Sequence, residues 1–391
     1  MLFRIYIYKI EIWRKFRRTS VLGQDSLGRC TAPGTNSKVY ISVLRRVSAK
    51  GCVDALVRNH FLYLTKKTQL RNERSELVPD LSVEGLVLDV DRFASHDGPG
   101  IRTAVFLKGC PLSCVWCHSP ESQGSHPELL YQEERCDGCG LCPVTCPEFA
   151  IQMLTNVAAD AAPGAVIAAI DRDACTACGK CVEVCYPGAL RIGGAPLTVG
   201  EMLRQVEADA PFFTSSGGGI TLSGGEPARQ PNFAYNFLLA SQNSGIHTAM
   251  ETTGYARADV MQRLASVTDL LLFDVKLISS GDHRKYAGVP NELIINNLRT
   301  LAAEGHEIQV RVPCIPDIND SVNQIQEIAE LVSDAGLERI SLLPYNNAAG
   351  AKYEWIDTPY ELADRESQSE TYMQSLAEIC LTVGLKVEIG G

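Results

Sequence analysis

Three cysteines set the chemistry open to this chain. In Cys110-Pro-Leu-Ser-Cys114-Val-Trp-Cys117 the spacing is C-x3-C-x2-C, directly after an apolar run over 103–107. If that run is a strand, the three thiolates converge at its end. A structural zinc site takes four protein ligands and is closed, whereas a site with three leaves a coordination position free. Thiolates also hold iron–sulfur clusters, normally four to a cubane. Three therefore predict a 4Fe–4S cluster whose fourth iron is offered to a substrate or cosubstrate. A zinc knuckle or buried free thiols are the competing readings of this loop taken alone.

Eight further cysteines form two matching repeats. Cys136-Asp-Gly-Cys139-Gly-Leu-Cys142-Pro-Val-Thr-Cys146-Pro and Cys175-Thr-Ala-Cys178-Gly-Lys-Cys181-Val-Glu-Val-Cys185-Tyr-Pro both read C-x2-C-x2-C-x3-C with a proline after them. This is the bacterial ferredoxin run, in which the fourth cysteine ligates the other cluster. One cluster is thus assigned to Cys136, Cys139, Cys142 and Cys185, the other to Cys175, Cys178, Cys181 and Cys146. A pair of zinc sites fits poorly, because such pairs separate two C-x2-C hairpins by a longer spacer. The alanine-rich stretch 157–170 carries no ligands and reads as a connection. Cys30, Cys52, Cys314 and Cys380 stand alone and read as small hydrophobes.

The three-cysteine loop, with a ring (Trp116) between its last two cysteines, resembles the signature of the radical S-adenosylmethionine superfamily. Its flanks, Arg92-Phe-Ala-Ser-His-Asp-Gly-Pro-Gly-Ile-Arg102-Thr and His118-Ser-Pro-Glu-Ser-Gln123, resemble one branch of it, the activating enzymes of glycyl radical enzymes. The resemblance implies an oxidoreductase that cleaves S-adenosylmethionine reductively to methionine and a 5′-deoxyadenosyl radical. That radical would abstract a Cα hydrogen from a glycine on a partner enzyme. Exclusion of water and oxygen would protect it, so anaerobic work is implied, and the ferredoxin-type insert would relay electrons inward. A flavodoxin or ferredoxin is the expected donor.

Such chemistry needs a scaffold that brings these groups together, and the sequence beyond 85 supplies a rhythm for one. An edge strand is expected over 86–90 and the first barrel strand over 101–107. After Arg191 helices (197–209, 233–244, 258–267, 290–304, 322–335, 368–383) alternate with strands (218–223, 247–252, 270–276, 308–313, 339–344), and a last short strand starts at Lys386. Alternation of this kind implies a parallel sheet with right-handed crossovers. About six βα units, rather than eight, predict an α/β fold: a partial (β/α)6 radical S-adenosylmethionine barrel with an inserted ferredoxin domain of two 4Fe–4S clusters. The expected division is a basic extension over 1–80, barrel over 81–130, insert over 131–192 and barrel over 193–391.

In barrels of this type functional groups gather at the carboxyl ends of the strands. That rule selects Ser223-Gly224-Gly225-Glu226-Pro, where glycines permit close backbone approach and Glu226 offers a carboxylate. The element resembles the family's GGEP turn, which holds the cosubstrate's amino group. By the same resemblance Glu251, Thr252 and Asp274 help build a monovalent cation site, Val275 and Lys276 face the cosubstrate, and Arg311 lies near it. Aspartate is common in the family where Glu251 stands. An arginine inside a barrel needs a carboxylate or phosphate partner. Asn346 stands where relatives carry histidine near the adenosyl group, and Trp116 and His118 adjoin the cluster loop, His118 through its backbone.

The chain has 391 residues, 15 of them cysteine, and a net charge of −10. Residues 1–75 carry 16 Lys+Arg against 4 Asp+Glu, the remainder 20 against 42. The basic arm reads loosely as a transit peptide, and neither nucleic acid nor a membrane is expected as a partner; since the next methionine is Met153, a start near Leu77 or Val78 at a non-standard codon is the alternative to a poorly structured extension. No apolar run reaches membrane-spanning length, and clustered cysteines in an enzyme-sized chain point to metal sites in a reducing cytoplasm. Two rivals remain. A peptide-modifying maturase of the same superfamily would place its extra cysteines after the barrel. A ferredoxin-type electron carrier would not need the three-cysteine loop.

Overall fold

The computed structural model describes residues 77–155 and 166–390. Residues 1–76, and with them most of the basic arm as well as Cys30 and Cys52, lie outside the described residues. Thirteen strands follow in chain order: β1 (Glu84–Ala94), β2 (Arg102–Leu107), β3 (Glu128–Tyr131), β4 (Ile151–Thr155), β5 (Val166–Ile170), β6 (Leu190–Gly193), β7 (Ala195–Thr198), β8 (Gly219–Gly224), β9 (His247–Thr252), β10 (Leu270–Asp274), β11 (Ile308–Cys314), β12 (Arg339–Pro344) and β13 (Lys386–Ile389).

Nine of these form one sheet in the order β13-β12-β11-β10-β9-β8-β2-β1-β7. From β2 through β13 every pairing is parallel, while β1 and β7 add antiparallel strands at one edge. The two outermost strands do not pair, so the barrel is open, with six crossovers from β2 to β13. Alternation along each strand sorts the side chains. Met250, Leu271, Phe273, Val310, Val312, Ile340 and Leu342 point outward into the main core against the helices, and their neighbours Ala249, Leu270 and Leu272 form a separate cluster. A strand sequence that is apolar on both faces is what burial on both sides demands.

The helices are set by their ends. Thr198 and Glu201 form a capping box at Val199–Glu207, and Ser279, Ser321 and Ser369 cap Ser280–Ala287, Val322–Asp334 and Glu370–Thr382 through their hydroxyls. Leu197, expected in a helix, belongs to β7, because Pro196 and the pairing with Gly85 keep it extended.

The insert is built from two hairpins and two short helices. β3 pairs with β6, and β4 with β5. Val166–Ile170, expected as part of a connection, is therefore a strand, whose half-buried face packs with Ile151 and the cysteines. The repeats share one backbone: Gly138 and Ala177, Gly140 and Gly179, and Phe149 and Gly188 occupy equivalent positions and all have φ between 52° and 78°. In each repeat the left-handed glycine after the second cysteine starts a short helix, Leu141–Thr145 or Lys180–Glu183. Cys314 and Cys380 are fully buried in the barrel core, as expected of small hydrophobes.

Candidate functional site

Register alone brings the selected stretches together. Leu107 pairs with Gly224, Phe273 with Thr252, and Asp274 with Arg311. The carboxyl ends of β2, β8, β9, β10 and β11 thus lie side by side, and the cysteine loop leaves the first of them.

That loop is stitched on both sides. The N–H groups of Gly225 and Glu226 donate to the carbonyls of Leu107 and Gly109 at 2.8 and 2.9 Å, and Cys110 N–H donates to Gln123 O at 3.0 Å. On the far side Ser113 and Val115 donate to the carbonyls of Ala287 and Tyr286, both at 3.0 Å. The helix Ser280–Ala287 was not evident in the sequence; its composition is polar, and its last residues offer the carbonyls of Tyr286 and Ala287 to the cysteine loop. Trp116 is buried with Leu277, Ile315, Ile318, Tyr345 and Leu362, and so anchors the loop from within. Burial pushes the thiols of Cys110, Cys114 and Cys117 up, Cys114 to about 12, with Lys276 the largest opposing influence on Cys114.

Glu226 behaves differently from the sequence expectation. Its carboxylate is fully buried. Thr252 Oγ1 donates to Oε1 at 2.8 Å, while Thr253 N–H and Oγ1 donate to Oε2 at 2.8 and 2.7 Å. Burial pushes this carboxyl up and the threonine bonds act against it. The side chain therefore locks β8 to the end of β9. What the turn leaves for a ligand is its backbone, kept bare because a Cβ on Gly225 would meet Gly109 O at 2.4 Å and Gly224 has φ +111°.

Next to this turn lies a charge network. Ser223 donates to Glu251, Arg311 binds Glu251, Arg311 Nε sits 3.6 Å from Asp274, and Lys276 Nζ donates to Asp274 at 2.8 Å. Burial works against a charged Lys276, but Asp274 and the Cys114 thiol outweigh it and hold its pKa above the usual value. Asp97 belongs to the same group: burial, then Glu251, raises it to about 6, with Arg311 opposing. Sequence reasoning left Asp97 unassigned, although it sits in the Asp-Gly-Pro-Gly turn. Arg102 holds that turn through Pro99 O, and Thr221 Oγ1 donates to Asp97 O at 2.6 Å. Below it a cavity of about 340 Å³ runs along the barrel interior, lined by His96, His247, Leu272, Gln309 and Arg311 among others.

Two of the remaining expectations fall at the rim. Val275 is buried, whereas Asn346 is exposed and its Oδ1 accepts from Ala348 N–H, capping a short turn. His118 is exposed overall, yet partial desolvation of its ring and then the nearby Lys352 lower its pKa, with the Asn346 backbone opposing.

In the insert the thiols group as the repeat logic requires. One cavity is lined by Cys146, Cys175, Cys178 and Cys181, the other by Cys136, Cys139, Cys142 and Cys185. Each set thus takes its fourth cysteine from the opposite repeat. Among the described residues no three donors converge tightly enough for a single metal ion. All four donors of each set are thiols, a donor set that suits an iron–sulfur cluster.

An open six-unit barrel with a three-cysteine loop at its first strand and a four-plus-four thiol insert is the architecture of a radical S-adenosylmethionine enzyme. Comparison with known proteins agrees: residues 181–340 match the Radical SAM superfamily and residues 135–189 a 4Fe-4S dicluster domain. The chain is 36% identical to the trans-4-hydroxy-L-proline dehydratase activating enzyme of Clostridioides difficile, over 78% of this chain and 99% of that one. It is 39% identical to the isethionate sulfite-lyase activating enzyme of Nitratidesulfovibrio vulgaris, over 78% and 98%. It is 37% identical to the choline trimethylamine-lyase activating enzyme of Oleidesulfovibrio alaskensis, over 76% and 95%. The chain belongs to the glycyl radical enzyme activating enzymes.

Proposed function

We propose that Cys110, Cys114 and Cys117 hold the cluster that binds S-adenosylmethionine, and that two further clusters occupy the insert, making three. When bound, cluster and cosubstrate supply the one-electron chemistry that generates an organic radical able to take a Cα hydrogen from a glycine of the partner. The residues around them position and shield. The bare backbone of Gly224 and Gly225 faces the cosubstrate's amino group, and Lys276 and Arg311 offer cations to its carboxylate. Trp116, His118, Val275 and Asn346 complete its surroundings. A monovalent cation at Glu251, Thr252 and Asp274 belongs to the same reading, sharing those carboxylates with Arg311 and Lys276. The observation that carries the reading is the direct stitching of the Gly224-Gly225-Glu226 turn onto the strand end that delivers Cys110.

Leu141, Val144, Phe149 and Tyr186 are exposed beside the insert's cysteines, which supports docking of a flavodoxin or ferredoxin there, in a reducing cytoplasm. The division into barrel over 81–130, insert over 131–192 and barrel over 193–391 is part of this proposal. Among the described residues no helix is long and apolar enough to cross a membrane. The test is to incubate the reconstituted chain with S-adenosylmethionine, a reductant and purified glycyl radical enzymes of the hydroxyproline, isethionate and choline types. A glycyl radical signal on one of them supports the reading and names the partner; cosubstrate cleavage with no radical on any would reject these partners.

A further inference from the structure

One short segment touches both iron–sulfur regions. In the helix Gly350–Glu354 and the residue after it, Lys352 Nζ lies 3.1 Å from Glu121 Oε1, just beyond the cysteine loop. Three residues on, the carbonyl of Trp355 accepts from Tyr131 N–H at 3.0 Å and from Arg172 Nη2 at 2.9 Å. Arg191 lies over the Trp355 ring, 5.5 Å from its centroid. Tyr131 lines the cavity of Cys136, Cys139, Cys142 and Cys185, so this end of the segment holds the insert.

Between the two ends is Tyr353. It is only 6% exposed, and its ring packs 4.5 Å from that of Tyr360. Its hydroxyl has no hydrogen-bond partner among the described residues. Neighbouring phenols are spent: Tyr360 and Tyr345 bond each other at 2.7 Å, and Tyr345 donates on to Leu362 O at 2.9 Å. Tyr360 in turn packs against the apolar cluster that holds Trp116 and Cys114, which sets the Tyr353 ring beside the cysteine loop; burial and then the Cys117 thiol raise its phenol, and the Cys117 backbone N–H opposes them. Burying a hydroxyl without a partner is costly, and such orphans occur where a group other than the protein completes the bonding.

We propose that Tyr353 donates its O–H to a sulfur of the cluster held by Cys110, Cys114 and Cys117, on the Cys117 side, and thereby raises that cluster's reduction potential. A hydrogen bond to sulfur stabilises the extra negative charge of the reduced cluster, one of the levers that set such potentials. Tyr353 is a positioning residue here, placed by the segment that also docks the insert. The inference rests on the reading of residues 110–117 as a cluster site.

The experiment uses the full chain, anaerobically reconstituted, with Tyr353→Phe as variant and Tyr360→Phe as control. Redox titration followed by electron paramagnetic resonance identifies the loop cluster as the one whose signal responds to S-adenosylmethionine. In Tyr353→Phe its midpoint potential falls while both insert clusters keep theirs, and Tyr360→Phe leaves all three unmoved. Electron–nuclear double resonance in deuterated buffer gives a second reading: an exchangeable deuteron coupled to the loop cluster, lost in Tyr353→Phe. An unchanged loop potential with the deuteron still present overturns the proposal, as does an equal shift of all three clusters. If the wild type binds no cosubstrate-responsive cluster at all, it is the reading of the loop that falls.

Discussion

Arg311 on β11 binds Glu251 on β9 across the end of β10, with Asp274 on the intervening strand 3.6 Å from its Nε. One guanidinium thus holds two carboxylates at neighbouring strand ends, and all three side chains are mostly buried. Removing one member of a buried pair leaves an uncompensated charge, at a cost of roughly 3–5 kcal/mol. Arg311→Gln is expected to lose about 3 kcal/mol in anaerobic denaturant unfolding, whereas the same change at exposed Arg257, paired with Asp259 on the surface, is expected to lose under about 1 kcal/mol.

Asp97 makes the fold sensitive to pH. Its carboxyl is raised to about 6 by burial and by Glu251. A raised folded pKa gives stability that is complete below the unfolded value and is lost as pH rises through about 6. Asp97→Asn removes this slope. Its stability relative to wild type is expected to climb between about pH 4 and 6 and to level off above that, measured by unfolding at several pH values, and a flat difference would remove the assignment.

Gly288 abuts the cysteine loop with φ +84°, and a Cβ there would meet Ser113 Oγ at 2.3 Å. Gly288→Ala is expected to destabilise by about 1–3 kcal/mol through backbone strain and to reduce occupancy of the loop cluster selectively. Iron content should fall toward that of the insert alone, with the insert's signals retained.

Crossed ligation makes a sharp prediction for paired substitutions in the insert. Cys136→Ser with Cys185→Ser strikes one thiol set, and Cys136→Ser with Cys146→Ser strikes both. At four irons per cluster, the first pair is expected to retain about eight irons in the whole chain and the second about four. The reverse order would mean that each repeat binds its own cluster.

The chemistry-bearing residues were legible because their spacing carries the information. Cysteine intervals within about a dozen residues predicted which thiols share a cavity, and strand-end motifs predicted the row from Gly224 to Arg311. What the sequence hid was set by distant contacts. The Glu226 carboxylate is taken by Thr252 and Thr253 at the next strand's end, and the segment Gly350–Glu354 meets the residues just after the cysteine loop through Lys352 and Glu121, 231 positions apart; neither pairing has a local signature. Helix Ser280–Ala287 buries only His283 and Ala287, so it shows no apolar stripe in the sequence. β5 was missed because two of its five residues are alanine, a weak strand former, and its partner β4 supplies the pairing.

The central claim is that the loop at Cys110, Cys114 and Cys117 performs reductive cleavage of S-adenosylmethionine. It is tested most directly by reconstituting the clusters anaerobically, reducing with dithionite and assaying 5′-deoxyadenosine for wild type and Cys114→Ala. Product from wild type and none from the variant is the predicted result. No product from a wild-type preparation with all its clusters intact would contradict it and leave an electron carrier.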